Sequence, residues 1–435
     1  MKIHIQGGRL IDPARGIDKR ADLFLAAGKI VGAGDTAPAG FTANSVLDAA
    51  GCIVCPGLID LSARLREPGF EFRATLESEM AAAAAGGVTR LACPPDTDPV
   101  LDEPGLVEML THRARLPEFA HIHPVGALTV QLAGERLTEM AELREAGCIA
   151  FGQANHAIVD TQVMLRAMHY AATFGFPVWL QAQDPFLARK GVAHDGEIAA
   201  RLGLVGIPVA AETIALATLL HLARESGVRL HVTRVSSAAG VEMIVAARAA
   251  GIAVTCDVAV HHLHLCDHDI GFFNPQARLD PPLRSQRDRD ALRAGLASGA
   301  IDALCSDHTP VDDDGKQMPF DEAEVGATGL ELLLPLTLKW AQETKLPLAT
   351  ALARITCDPA RVLGIDAGHL AVGAAADICV FDPAAGFHVT RDNLRSLGKN
   401  TPFLGLELPG RVCYTLIDGH LAFDGSLSYS PPTGS

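Results

Sequence analysis

Positive charge is in deficit in this 435-residue chain: 36 lysines and arginines stand against 51 aspartates and glutamates, a formal net charge of −15. A surface that acidic repels phosphate backbones and anionic lipid, so no nucleic acid and no membrane surface is expected as a partner. Long apolar runs are missing as well. No stretch reaches the roughly 18–20 uncharged residues of a membrane helix, and the alanine run at 81–85 ends in glycine. Residues 1–8 alternate like a strand and lack the apolar run and cleavage site of a signal peptide, so a cytoplasmic location is expected. The 10 cysteines form no paired framework; they lie scattered in apolar runs, as buried reduced thiols do. Cys52 and Cys55 make a C-x-x-C, but no second pair follows and Ile53 and Val54 between them belong to an expected strand. Neither zinc nor redox chemistry is assigned there. With 49% hydrophobic and 20% charged residues the chain can bury a large core, which excludes disorder as its main state.

Both ends of the chain read as short strands, at 2–6, 21–26, 29–33 and 45–49 and again at 376–381, 411–417 and 420–423, separated by Gly, Asp and Pro turns. One small β-sandwich domain built from both termini is expected, spanning 1–54 and 371–424. The Ser/Pro/Gly-rich stretch 425–435 is expected to be a loose tail. The middle, 55–370, has a different beat. Apolar β-type runs at 52–60, 88–93, 120–127, 148–151, 178–182, 230–235, 252–258 and 301–305 alternate with helical patterns such as 75–85, 139–146, 161–173, 213–225 and 286–297. Repeated strand–helix units with buried strands make a parallel sheet, and this many of them make a closed (β/α)8 barrel of the TIM type. An open doubly wound sheet is disfavoured because no G-x-G-x-x-G follows any of the strands.

Barrel enzymes carry their chemistry at the C-terminal ends of the strands. The first such end leads into L-R-E-P-G at 65–69, and later segments read P-D-T-D-P at 95–99, P-P-L-R at 281–284, S-D-H-T-P at 306–310, T-C-D-P-A-R at 356–361 and N-T-P-F at 400–403. In this order and over nearly the whole chain, the segments resemble the dihydroorotase family of the amidohydrolase superfamily, metal-dependent hydrolases built on such a barrel. The departures are concentrated in one place. The family's two-metal centre is held by an H-x-H after the first strand, an Asp after the fourth, His residues after the fifth and sixth, and an Asp after the eighth. The matching positions here are Ser62 and Arg64, Gln153 and Ala154, Gln181, Arg234 and Asp307. Of that set only Asp307 remains. Guanidinium groups stay charged and offer no lone pair, and an amide oxygen is a poor zinc ligand, so no metal, no cofactor and no catalytic residue are expected. The substrate pocket is altered too: Arg66 remains, but Asp96 replaces the family's Asn and would repel an anion. Arg66, Asp96, Asp280 and His308 are therefore remnants with no substrate binding expected. Salt bridges should fill the old site, Asp96 with Arg66 and Asp307 with Arg64 or Arg234.

Other clusters have plainer explanations. His121 and His123 form an H-x-H at the start of the third strand, on the barrel floor, where two polar side chains on one strand face suffice as an account. His261, His262, His264 and His268 follow the seventh strand, with Asp257 and Asp267 near in sequence. The family carries P-H-H-L there without using it for metal. Lys190 and Lys316 sit in expected loops rather than at a strand end, and the acidic stretch 311–316 lacks the spacing of a calcium loop and reads as a solvated turn. No G-x-S-x-G nucleophile elbow occurs.

Loss of the ligand positions with retention of the scaffold motifs points to a catalytically silent homologue. The resemblance implies a role as the non-catalytic dihydroorotase-like chain of bacterial aspartate carbamoyltransferase, in a heterododecamer of six catalytic and six silent chains in pyrimidine biosynthesis. The competing expectation is an active amidohydrolase working on a cyclic amide with a rearranged, metal-poor site that uses Asp307, His261 and His308.

Overall fold

The computed structural model describes residues 1–116 and 118–426. Eight parallel strands, numbered β1 to β8 here, follow one another around a barrel in strict sequence order: Leu58–Asp60, Val88–Cys93, His121–Ala127, Ala150–Gly152, Val178–Gln181, Leu230–Thr233, Val254–Ala259 and Ala303–Cys305. The expected (β/α)8 barrel is thus the observed one. Its strands read as apolar runs because helices cover the outside while side chains fill the inside. Leu58, Val88, Val178, Leu230 and Val258 lie in the large core shared with the helices, whereas Ile59, Ala92, Val125, Trp179 and Ala303 fill the barrel itself. Helix starts follow local chemistry. Thr75, Asp160, Ser237 and Ser285 each accept a backbone N–H of the first turn that follows.

The seam between β1 and β8 closes just beyond the strands. Ala63 and His308 form a parallel bridge, with Arg64 N–H donating to His308 O at 2.8 Å and His308 N–H donating to Ser62 O at 3.0 Å. At the opposite end Ile59 N–H donates to Ile355 O and Leu304 N–H to Arg354 O, so the 354–355 backbone wedges between the two strands. This closure sets Ser62, Arg64 and Asp307 side by side.

The chain ends build two further sheets. One has four strands in the order Lys29–Gly34, Asp22–Ala26, Lys2–Gln6, Ser45–Asp48; the other has six, His420–Asp424, Glu407–Ile417, Ile378–His388, Ile53–Pro56, Arg9–Asp12, Ile17–Arg20. Ile3, Ile5, Leu23 and Leu25 of the first pack on Leu10, Val54, Ile378 and Leu416 of the second, as in a β-sandwich. The run 52–60, read from sequence as one barrel strand, is in fact two. Ile53–Pro56 pairs with Ile378–Phe381 in the six-stranded sheet, and Leu58–Asp60 pairs with β2. The break is at Gly57, where a Cβ would lie 2.2 Å from Thr89 Oγ1. An unbroken apolar run cannot show that it serves two sheets; Gly57 is the only local sign. The expectation of a solvated turn at 311–316 also changes: Asp313–Gln317 is a short helix, and Lys316 is buried with Nζ donating to Pro275 O and Arg278 O. Of the expected tail, residues 427–435 lie outside the described residues. Among the described residues no helix is long and apolar enough to cross a membrane.

Candidate functional site

Two arginines meet at the C-terminal mouth of the barrel. Arg64, past the end of β1, donates from Nε to Asp96 Oδ2 at 2.7 Å, from Nη1 to Thr309 Oγ1 at 3.1 Å and Asp307 Oδ1 at 3.5 Å, and from Nη2 to Asn155 Oδ1 at 2.9 Å. Arg234, past β6, donates from Nη1 to Asp307 Oδ1 at 3.1 Å and Asp280 O at 3.3 Å, and from Nη2 to Asn155 Oδ1 at 2.6 Å and Gln181 Oε1 at 3.0 Å. The two guanidinium groups are therefore clasped by the same two oxygens. Asp280 steadies the clasp from outside, accepting from Asn155 Nδ2 at 2.9 Å and Gln181 Nε2 at 3.2 Å. Ser62 Oγ adds a third donor to Asp307 Oδ1, at 3.4 Å.

A buried polar layer holds this arrangement from below. Asp257 Oδ1 accepts the Arg234 backbone N–H at 2.7 Å, and its Oδ2 meets His231 Nε2 at 2.9 Å. Asp60 accepts the backbone N–H of Ser306 and Ser62 as well as the Ser306 hydroxyl. Such anchoring matters because Arg66, Ala154, Arg234 and Asp307 all adopt left-handed backbone conformations, with φ between 47° and 64°. Strain of this kind persists only where the surroundings over-determine it, and it gathers at functional sites.

Burial and charge act against each other here. Burial raises the Asp96 carboxyl, but the charge and hydrogen bond of Arg64 outweigh it and leave Asp96 below the usual carboxylate range. Burial likewise opposes the charge on Arg64, yet Asp96 and Asp307 hold its pKa above the ordinary arginine value. Asp60 forms no ion pair with an arginine or lysine among the described residues. Burial pushes it up to about 6 from 3.8 despite the Ser306 and Ser62 hydrogen bonds. A carboxyl raised in this way adds stability that is complete below its unfolded value and is lost as pH rises through about 6. The thermal midpoint should therefore fall from pH 5 to pH 7 more steeply in the wild type than in Asp60→Asn; parallel curves would contradict the assignment.

The other sequence-marked residues go elsewhere. Asp96 meets Arg64 and not Arg66; Arg66 Nε donates to Pro310 O at 2.8 Å, and its guanidinium lies over the Phe70 ring. Burial and the Arg64 charge bring Arg66 down to about 10. Gln153 is turned away, its Nε2 donating to Thr129 Oγ1 and Leu132 O, while Ala154 lines the mouth. His308 is buried: its Nδ1 accepts from Gly329 N–H at 3.0 Å and its Nε2 meets buried Glu79 at 2.5 Å. The histidines after β7 do not converge. His261 stacks on Phe403, His262 Nε2 contacts Pro281 O, and His264 Nε2 contacts Leu336 O. Burial lowers His261 and His264 to about 4. Sequence reasoning overlooked Asn155, although it directly follows Gln153 and Ala154 in the turn after β4, and Glu79, whose place opposite His308 no local pattern reveals.

The barrel, the end-built sheets and a polar cluster at the strand ends define a class. The structure superposes on L-hydantoinase (dihydropyrimidinase) from Arthrobacter aurescens with a TM-score of 0.86 at 24% identity, covering 97% of this chain and 96% of that one. D-hydantoinase from a Thermus species gives 0.83 at 20% identity over 98% and 96%. The fold is that of the hydantoinase-type amidohydrolases. Within that class, residues 51–240 match the family described as dihydro-orotase-like. The dihydroorotase-like protein of Pseudomonas aeruginosa is 48% identical over 98% of this chain and 100% of its own length, and the dihydroorotase of Geobacter metallireducens 40% identical over 97% and 100%. The chain belongs to the dihydroorotase-like family of the amidohydrolase superfamily.

A hydrolytic ion does not fit the donors at this mouth. Arg64 and Arg234 occupy two ligand positions with nitrogens that have no available lone pair. Asp307 Oδ1 already receives Ser62, Arg64 and Arg234. Gln181 Oε1 is taken by Arg234 and Gln153 points into the wall. The space left at the strand ends is about 30 Å³, room for a water or two, against roughly 300–1,000 Å³ for a small-molecule pocket.

Proposed function

We propose that this chain is a dihydroorotase homologue without hydrolytic activity, retained as a structural subunit that docks aspartate carbamoyltransferase catalytic chains in a six-plus-six assembly. The observation that carries the first half is the filling of Asp307 by three side-chain donors, two of them guanidinium groups. Without an ion there is no activated water and no Lewis acid for a scissile amide. The substrate side is no better supplied, since Asp96 is spent on Arg64 and Arg66 on a backbone carbonyl. The partner assignment rests on the family resemblance carried by the strand-end motifs.

The name dihydroorotase carried by relatives such as the Geobacter metallireducens protein favours a second reading, an active amidohydrolase. Its candidate groups are poorly placed for that work. His308 is tied to Glu79, and His261 is buried against Phe403. A lone general acid–base group gives roughly 10²–10⁴-fold, short of the 10⁶-fold or more typical of enzymes. Co-purification separates the halves of the proposal. The tagged chain is expected to bring down an aspartate carbamoyltransferase catalytic chain, and deletion of its gene is expected to lower that transcarbamoylase activity. A catalytic chain fully active and unassociated in the deletion strain would sink the docking role.

A further inference from the structure

At the opposite end of the barrel, the floor brings together three potential ligands that are far apart in the chain. His121 opens β3, Asp377 precedes the strand Ile378–His388, and Asp418 sits in the turn between Glu407–Ile417 and His420–Asp424. Their ligand atoms all lie within 4.8 Å of one another. His121 Nε2 is 3.3 Å from Asp418 Oδ2 and 3.7 Å from Asp377 Oδ1. It is shielded from solvent, yet at these distances it makes no hydrogen bond among the described residues. The Nε2 atom lies between the two carboxylates rather than against one of them.

The spacing suits something else. Ligands about 2.1 Å from a tetrahedral ion stand roughly 3.4 Å apart, close to both measured separations. The carboxylates are also fixed for the purpose. Asp377 Oδ2 is held by Arg90 at 2.7 Å and its Oδ1 by the Asp418 N–H at 2.9 Å, which leaves a lone pair on Oδ1 free. Arg90 compensates one of the two carboxylate charges, so the cluster with a neutral His121 keeps one net negative charge. Beside it opens a cavity of about 390 Å³ lined by His121, His123, Arg90, Arg115 and Asp418, in which His123 Nε2 is also buried without a partner. An ion held by three protein groups would keep a coordination position open toward this cavity.

We propose that His121, Asp377 and Asp418 form a binding site for a divalent transition-metal ion of the zinc class, which pins the barrel floor to the sheet built by the chain ends. The borderline-soft nitrogen with two carboxylate oxygens suits zinc or cobalt better than calcium or magnesium, which prefer all-oxygen shells. The site is independent of the arginine-filled mouth at the other end of the barrel.

The test is titration of the untagged, chelator-treated full chain with Zn(II) by calorimetry, and with Co(II) by visible absorption. One equivalent should bind. Asp418→Asn, a change at a half-exposed turn residue that leaves the fold in place, should weaken binding by more than the roughly 10–100-fold that loss of an outer-shell partner costs. His121→Ala should do the same, whereas Asp307→Asn should leave binding unchanged. No uptake by the wild-type chain, uptake that survives both floor variants, or uptake lost in Asp307→Asn would each overturn the proposal.

Discussion

Asp307→Ala is expected to destabilise the chain by about 3–5 kcal/mol, the cost of leaving a buried charge uncompensated. The loss falls unequally on the two arginines. Arg64 keeps Asp96 at 2.7 Å, whereas Arg234 is left with Asn155, Gln181 and the carbonyl of Asp280, none of them charged toward it. A lower urea midpoint with an unchanged slope is the expected readout. Asp307→Asn keeps an acceptor oxygen for the guanidinium groups while removing the charge, and is expected to lose less. An Asp307→Ala chain as stable as the wild type would contradict the view that this carboxylate exists to neutralise the arginines.

Glu212→Ala should be comparably severe, for a different reason. Glu212 reaches from the helix Val209–Ser226 to the turn after β6, where Oε2 accepts from Ser236 N–H at 2.8 Å and Ser236 Oγ at 2.5 Å, and Oε1 from Ser237 N–H at 3.1 Å and Ser237 Oγ at 2.5 Å. All of these groups are buried. Each buried donor left unmade costs about 1–3 kcal/mol, and the hydroxyls can turn to other partners while the two backbone N–H groups cannot. A total of about 2–6 kcal/mol is therefore expected for the two. Glu212→Gln should rescue little, because its amide NH2 would face donors. Since this turn follows Arg234, amide hydrogen exchange at Arg234–Ser237 should rise in Glu212→Ala; exchange confined to its own helix would contradict the link.

How much of this was legible in the sequence depends on how local each feature is. The barrel was, because buried strands and helices alternate over more than half the chain and each leaves its own pattern. The strand ends were legible for the same reason, so Arg64, Arg234 and Asp307 could be singled out by position. Their partners could not. Whether Asp96 turns to Arg64 or Arg66 depends on side-chain direction after a strained turn, and Arg66 has its own left-handed backbone and the Pro310 carbonyl to satisfy it. Asn155 stood in the right turn, but its role follows only when two guanidinium groups are seen on one oxygen. The floor cluster was half visible. His121 could be named, but Asp377 and Asp418 come to it only through the sheet that both chain ends build.

Metal content alone does not test the central claim, because the floor ion and a mouth ion would count alike. Dihydroorotate ring opening by the purified chain, alone and with the transcarbamoylase catalytic chain, tests it directly when wild type and Asp307→Asn are assayed together. The account predicts no turnover above the uncatalysed rate for either protein. Turnover by the wild type that disappears in Asp307→Asn would contradict it.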